Sequence, residues 1–175
     1  MTEVPGSIES LLGERERVRP ASAESWRSVE VWLGRELPPD YKDLVDGYGD
    51  AVLLGHLFLP HPEGGDPRLT FMQERRYFHF AYGEVRNIPE PVSLAWDQLV
   101  PWAYHDWNGD VCLLVPPLAG DDWTVAVAFR QCPEFLVIHG GVTEFMRLLL
   151  EEGKLSRGWP SGGPLWKSMA DSPVV

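Results

Sequence analysis

From Asn87 to Phe129 the chain has no lysine and no arginine. It carries six acids there instead, Glu90, Asp97, Asp106, Asp110, Asp121 and Asp122, and a field of one sign on a rigid frame suits a basic partner. The whole chain of 175 residues is acid-rich, with a formal net charge of −11. That balance argues against nucleic acid or an anionic membrane as partner. Cysteine is scarce: Cys112 and Cys132 stand without CxxC or histidine spacing, so neither a disulfide framework nor a zinc site is implied. Both are expected as buried, reduced thiols. No apolar run reaches the length of a membrane span, and Met1 to Arg19 has no basic start followed by an apolar core. The expected location is therefore the cytoplasm. The length suits one domain with an adequate core.

Catalytic signatures are missing too. There is no GxSxG, Gly64-Gly65 and Gly140-Gly141 lack the Lys-Ser/Thr of a phosphate loop, and His56, His61, His79, His105 and His139 show neither HxH nor HExxH spacing. Asp106-Trp107-Asn108-Gly109-Asp110 begins like a calcium loop, but Val111 stands where the turn glycine belongs and Pro117 where the bidentate glutamate belongs. No metal and no cofactor is expected. His105 beside Asp106 is the one suggestive catalytic pair. Neighbours on a strand point to opposite faces, so a small hydrolase built on them needs the turn to bend them together. The expectation is a protein that is not an enzyme.

What is present is a run of amphipathic elements. Residues 1–21 hold a short apolar patch (Ile8, Leu11, Leu12), enough for a short helix. Ser22 is placed to cap a helix in which Trp26, Val29 and Leu33 share a face, ended near Gly34. Pro38-Pro39-Asp40 opens another, with Tyr41, Leu44, Val45 and Tyr48 on one side and Asp40 at its positive end. Ala51 to Leu59 reads as one strand, bent near Gly55. Asp66-Pro67 opens a helix bearing Leu69, Met72, Arg76 and Phe80. Glu84 to Trp96, rich in proline, reads as an irregular crossing.

Leu99 to Ile138 then forms the centre of the chain. Trp102-Ala103-Tyr104 and Val111 to Val115 flank Asn108-Gly109, a dipeptide that favours a two-residue type I′ hairpin, so both runs read as antiparallel strands. Trp123, Val125, Val127 and Phe129 alternate with Thr124, Ala126 and Ala128, a strand with a large face and a small face. Phe135 to Ile138 is a further short strand. Thr143 is a candidate N-cap for a helix over Glu144 to Glu152, ended by Gly153. Residues 154–175, rich in Gly, Pro and Ser, read as an extended tail with Trp159 and Trp166 as anchors.

This order of elements resembles the SMI1/KNR4 (SUKH) superfamily. The resemblance rests on Trp26 and Leu33-Gly34, on Leu37-Pro38-Pro39-Asp40-Tyr41-Lys42 ahead of Leu44, and on Leu99-Val100-Pro101-Trp102 before Asn108-Gly109-Asp110. The strand from Trp123 to Ala128 and Thr143-Glu144-Phe145 complete it, so that it spans about residues 22–153. It implies an α+β domain with an antiparallel sheet of about six strands and helices before, beside and after it. Many bacterial members are immunity proteins that neutralise a cognate toxin, often a nuclease, of polymorphic toxin systems, and eukaryotic relatives are regulatory or scaffold proteins. The Glu63 to Phe80 stretch and the tail after Gly153 depart from the pattern.

The residues themselves point to a binding patch. Trp102, Tyr104 and Trp107 lie in sequence beside Asp106, Asp110, Asp121 and Asp122, and aromatic anchors beside acids suit a basic protein partner. Trp123 is in phase with Val125 and Val127 and is expected in the core. The expected function is an immunity protein occluding a basic toxin surface, with a regulatory scaffold as the alternative.

Overall fold

The computed structural model describes residues 8–13, 20–64, 78–79, 81–105, 108–131, 134–152, 159 and 165–168. Apart from Phe78 and His79, the stretch expected as a helix from Asp66-Pro67 to Phe80 lies outside them, and so do Asp106, Trp107 and Cys132.

Three helices come first. Helix α1 spans Ile8–Leu12 and buries both end residues. Helix α2 spans Ala23–Leu33, with the Ser22 side chain accepting from the Ser25 amide and Gly34 closing it at φ 75°. A left-handed residue is needed there because the Gly34 and Arg35 amides both turn back to the Glu30 carbonyl, and glycine adopts it without a Cβ clash. Helix α3, Pro39–Tyr48, starts on its proline as expected and buries Tyr41, Leu44, Val45 and Tyr48.

Strands β1 (Ala51–Leu53) and β2 (Leu57–Leu59) follow. They replace the single bent strand expected over this stretch. Leu54 and Gly55 both have positive φ, 53° and 75°, and the His56 amide donates to the Leu53 carbonyl, so the chain reverses in a tight hairpin turn. The proline-rich crossing holds a short helix α4, Glu90–Leu94, and a 3-10 turn, Trp96–Gln98. Then come β3 (Val100–His105), β4 (Val111–Val115), β5 (Thr124–Phe129) and β6 (Glu134–His139). Helix α5, Gly141–Arg147, passes into a π-helical turn, Leu148–Glu152, and β7 is Trp166–Ser168.

The seven strands make one antiparallel sheet in the order β6-β5-β4-β3-β2-β1-β7. This is an α+β fold with helices on both sides of the sheet. The seventh strand comes from the segment expected as a tail, and Trp166 anchors it by donating its indole N–H to the Tyr48 carbonyl at 2.9 Å. Residues 165–168 therefore belong to the same sheet as the rest of the domain.

One face of the sheet carries Trp102, Cys112, Leu114, Val125 and Val127, packed under Trp26, Tyr41, Leu44, Phe145 and Met146 of the helices. The other carries Val111, Leu113, Val115, Ala126 and Ala128, covered by Phe78, Tyr82, Val92 and Ala95. The large and small faces read from β5 are these two faces.

Asp40 ties α3 to α5. Helix α5 begins after Gly140 at φ 112° with no side-chain cap of its own. Asp40 Oδ2 supplies one from another helix, accepting from the Val142 amide at 2.9 Å and the Thr143 amide at 3.1 Å. Thr143 is thus inside the helix, not its N-cap. Its hydroxyl adds a longer bond to the same oxygen at 3.4 Å. Asp40→Ala is expected to lower stability by about 2 kcal/mol, the upper range for a cap because the acceptor is charged. Asp40→Asn should lose less, and urea unfolding of the two variants checks the ranking.

Candidate interaction surface

The residues expected to form one acidic patch are dispersed by the fold. Strand β4 has five residues, about 3.4 Å apart, so its ends are separated by roughly 14 Å. Asn108, Gly109 and Asp110 lie at one end and Asp121 and Asp122 at the other. No single patch holds them all.

Trp102 is not a surface anchor. It is fully buried, edge-on to Tyr41 at 5.9 Å and Phe145 at 5.3 Å. Alternation from Val100 already places it on that face, and a register shift between Pro101 and Ala103 in the β3–β4 ladder then parts it from Tyr104. The extra residue puts Ala103 on the helix-packed face as well and sends Tyr104 to the other, which regular alternation does not do. Tyr104 is half-buried and stacked on Phe58 at 5.2 Å.

Asp110 is not a surface acid either. It is 3% exposed, with Oδ1 accepting from the Arg130 amide at 2.9 Å and Oδ2 from the Trp159 indole N–H at 2.8 Å. Strand β3 ends at His105 and β4 begins at Val111, so the strands do not run up to a two-residue turn at Asn108-Gly109 as expected. Gly109 is left-handed at φ 74°, and its amide donates to the His105 carbonyl while the His105 amide donates to the Asp110 carbonyl.

Asp121 and Asp122 are exposed. They stand on the rim of a groove of about 990 Å³ between the α2–α3 link and the start of β5, where Glu36, Pro38 and Lys42 face Asp122 and Trp123. Trp123 is half-buried, packing inward against the core as its phase required. Its ring also carries the Arg35 guanidinium, 5.6 Å from the centroid, a cation–π contact. The cations of this rim are engaged within the chain. Arg35 donates to the Pro117 carbonyl and to Gln98 Oε1, and Lys42 pairs with Glu30 at 2.8 Å. Glu36, Asp121 and Asp122 have no such pairing among the described residues. Large apolar side chains lie open on the neighbouring elements: Leu118 in the β4–β5 loop is 67% exposed, and Val31 and Trp32 on α2 are 75% and 40% exposed.

Compared with known proteins, the chain matches no family model, no curated protein and no solved structure.

His105 is buried at 1% exposure and its Nδ1 accepts from the Asn108 amide. The fold brings it against His56, which sequence spacing did not foretell, with ring centroids 4.6 Å apart. Among the described residues no group of three or more His, Cys, Asp or Glu side chains is arranged to hold a metal ion. The Cys112 thiol is pushed well above its ordinary value by burial and by the Asp110 charge, so it is held as an unreactive thiol. No helix of the described residues is long and apolar enough to cross a membrane.

Proposed function

We propose that this chain is a non-catalytic protein-binding domain, an immunity protein that neutralises a basic, nuclease-like toxin domain of a bacterial polymorphic toxin system. The observation that carries this reading is the groove rim, where Glu36, Asp121 and Asp122 stand unpaired among the described residues beside Trp123 while the local cations are internally engaged, with Leu118 exposed in the β4–β5 loop. Charge with an apolar or aromatic anchor beside it is what a desolvating protein contact uses. The resemblance of the sequence to SMI1/KNR4 proteins, many of which are immunity proteins, names the class of partner.

The mechanism is occlusion. A nuclease groove is cationic because it holds phosphates, and an acidic surface covers it without any reaction. The net charge of −11 adds long-range attraction, which raises association toward ~10⁸ M⁻¹s⁻¹ at low salt. Raising salt from about 50 to about 200 mM is expected to slow association roughly tenfold while dissociation changes less than about twofold. Stopped-flow mixing with the purified partner reads both rates. A salt-independent association rate contradicts the proposal.

A further inference from the structure

The C-terminal segment meets the sheet where two histidines are buried against each other. His56, in the β1–β2 turn, and His105, at the end of β3, are each 1% exposed. Trp159 packs over both, its ring 5.7 Å from His56 and 5.4 Å from His105, while its N–H is held by Asp110. His56 Nδ1–H donates to the Leu54 carbonyl at 2.9 Å, which leaves Nε2 as the basic nitrogen. That nitrogen is buried and has no hydrogen-bond partner among the described residues. The Leu54 amide in turn donates to the Leu165 carbonyl, one residue before β7. One imidazole therefore touches both attachments of the segment, the Trp159 ring directly and β7 through the turn that Leu54 shares.

We propose that His56 is an acid-sensitive latch that holds the C-terminal segment, Trp159 and β7, against the edge of the sheet. A proton on Nε2 places a cation in a buried site and creates a donor that faces no acceptor among the described residues. Among the described residues, none of the titratable and charged groups hydrogen-bonds that nitrogen. His105 from β3 becomes a like charge if it also takes a proton. Both oxygens of Asp110, from the β3–β4 loop, are already engaged. Cys112 on β4, beyond Asp110, is held as a neutral thiol. Arg130 after β5 packs its guanidinium beside Gly109 and is itself cationic. Relief comes by swinging the imidazolium to water or by drawing Asp110 away from Trp159, and either one unseats the indole.

Burial lowers the proton affinity of His56 and outweighs the opposing effect of the Leu54 bond. A depressed histidine contributes stability that is fully present above its ordinary value of 6.5 and is lost as pH falls from there toward the folded value. Glu63, held down to about 2 by Ser25 and Ser22, titrates below that window and does not confuse it.

Hydrogen exchange on the full chain, corrected for intrinsic rates, tests this between about pH 7.5 and about pH 5. The β7 amides are expected to exchange faster by up to roughly tenfold for each pH unit below the histidine value, while β4 and β5 stay protected. His56→Gln should abolish that response. His61→Gln, at a buried histidine whose Nδ1 accepts from the Glu63 amide, is the control and should leave it intact. If His56→Gln does not fold, an NMR titration of His56 in the unmodified chain decides, with a value below that of a free histidine expected. No pH response in β7, a response unchanged in His56→Gln, or a His56 value at or above that of a free histidine overturns the proposal.

Discussion

Replacing Asp110 with alanine is expected to lower the free energy of unfolding by about 3 kcal/mol, among the largest single effects available in this chain. The carboxylate is almost fully enclosed and each oxygen has a separate donor, the Arg130 amide and the Trp159 indole. Alanine leaves both donors buried without an acceptor, at roughly 1–3 kcal/mol each before relaxation. It also releases Trp159, so protease sensitivity of the C-terminal segment should rise together with the loss of stability. Asp110→Asn keeps one acceptor but turns an N–H₂ toward a donor, and should cost about 2 kcal/mol. A urea midpoint within experimental error of the unmodified chain contradicts the assignment of Asp110 as an internal lock and returns it to the surface.

The second large effect is on binding and leaves the fold alone. Reversing Asp121 and Asp122 together to lysine should weaken partner binding roughly a hundredfold, about 2.7 kcal/mol, mostly through association. Both side chains are exposed, so stability should change by less than about 0.5 kcal/mol each. Glu84→Lys with Glu90→Lys is the matched control. Those two residues are exposed on the segment covering the opposite face of the sheet, and their reversal changes net charge by the same amount. If the control weakens binding equally, total charge acts and the groove has no special part.

Much of the helical frame was legible because its signals are local. Ser22 and Gly34 bound α2 through bonds within five residues, and Pro39 starts α3 by the dihedral that its ring imposes. The two faces of β5 were equally plain, since period two needs no partner to be read. The misreadings have nonlocal causes. Leu54 takes a left-handed conformation that costs a branched side chain energy, so no residue preference marks the β1–β2 turn. The cap of α5 comes from Asp40, about a hundred residues earlier, and Thr143 looked like the nearer candidate. Strand β7 has three residues between Gly- and Pro-rich neighbours, too short for any alternation to show.

The candidate site was half legible for the same reason. Asp121 and Asp122 were named from charge alone and lie on an open rim. Glu36 was missed because it sits between two helices, with nothing nearby in sequence to link it to them. Trp102 was parted from Tyr104 by a one-residue register shift, and Asp110 is held inside by a side chain, Trp159, that arrives from 49 positions away. A sequence pattern shows which residues share a strand face, but a bulge changes that face without altering composition.

The most direct test captures partners from extract of the cells that make this chain, on three baits at one moderate salt concentration: the unmodified chain, Asp121→Lys with Asp122→Lys, and Glu84→Lys with Glu90→Lys. The account predicts a cationic protein bearing a toxic domain that is retained by the first and third baits and lost from the second. A partner held equally by all three, or one that is itself acidic, contradicts it.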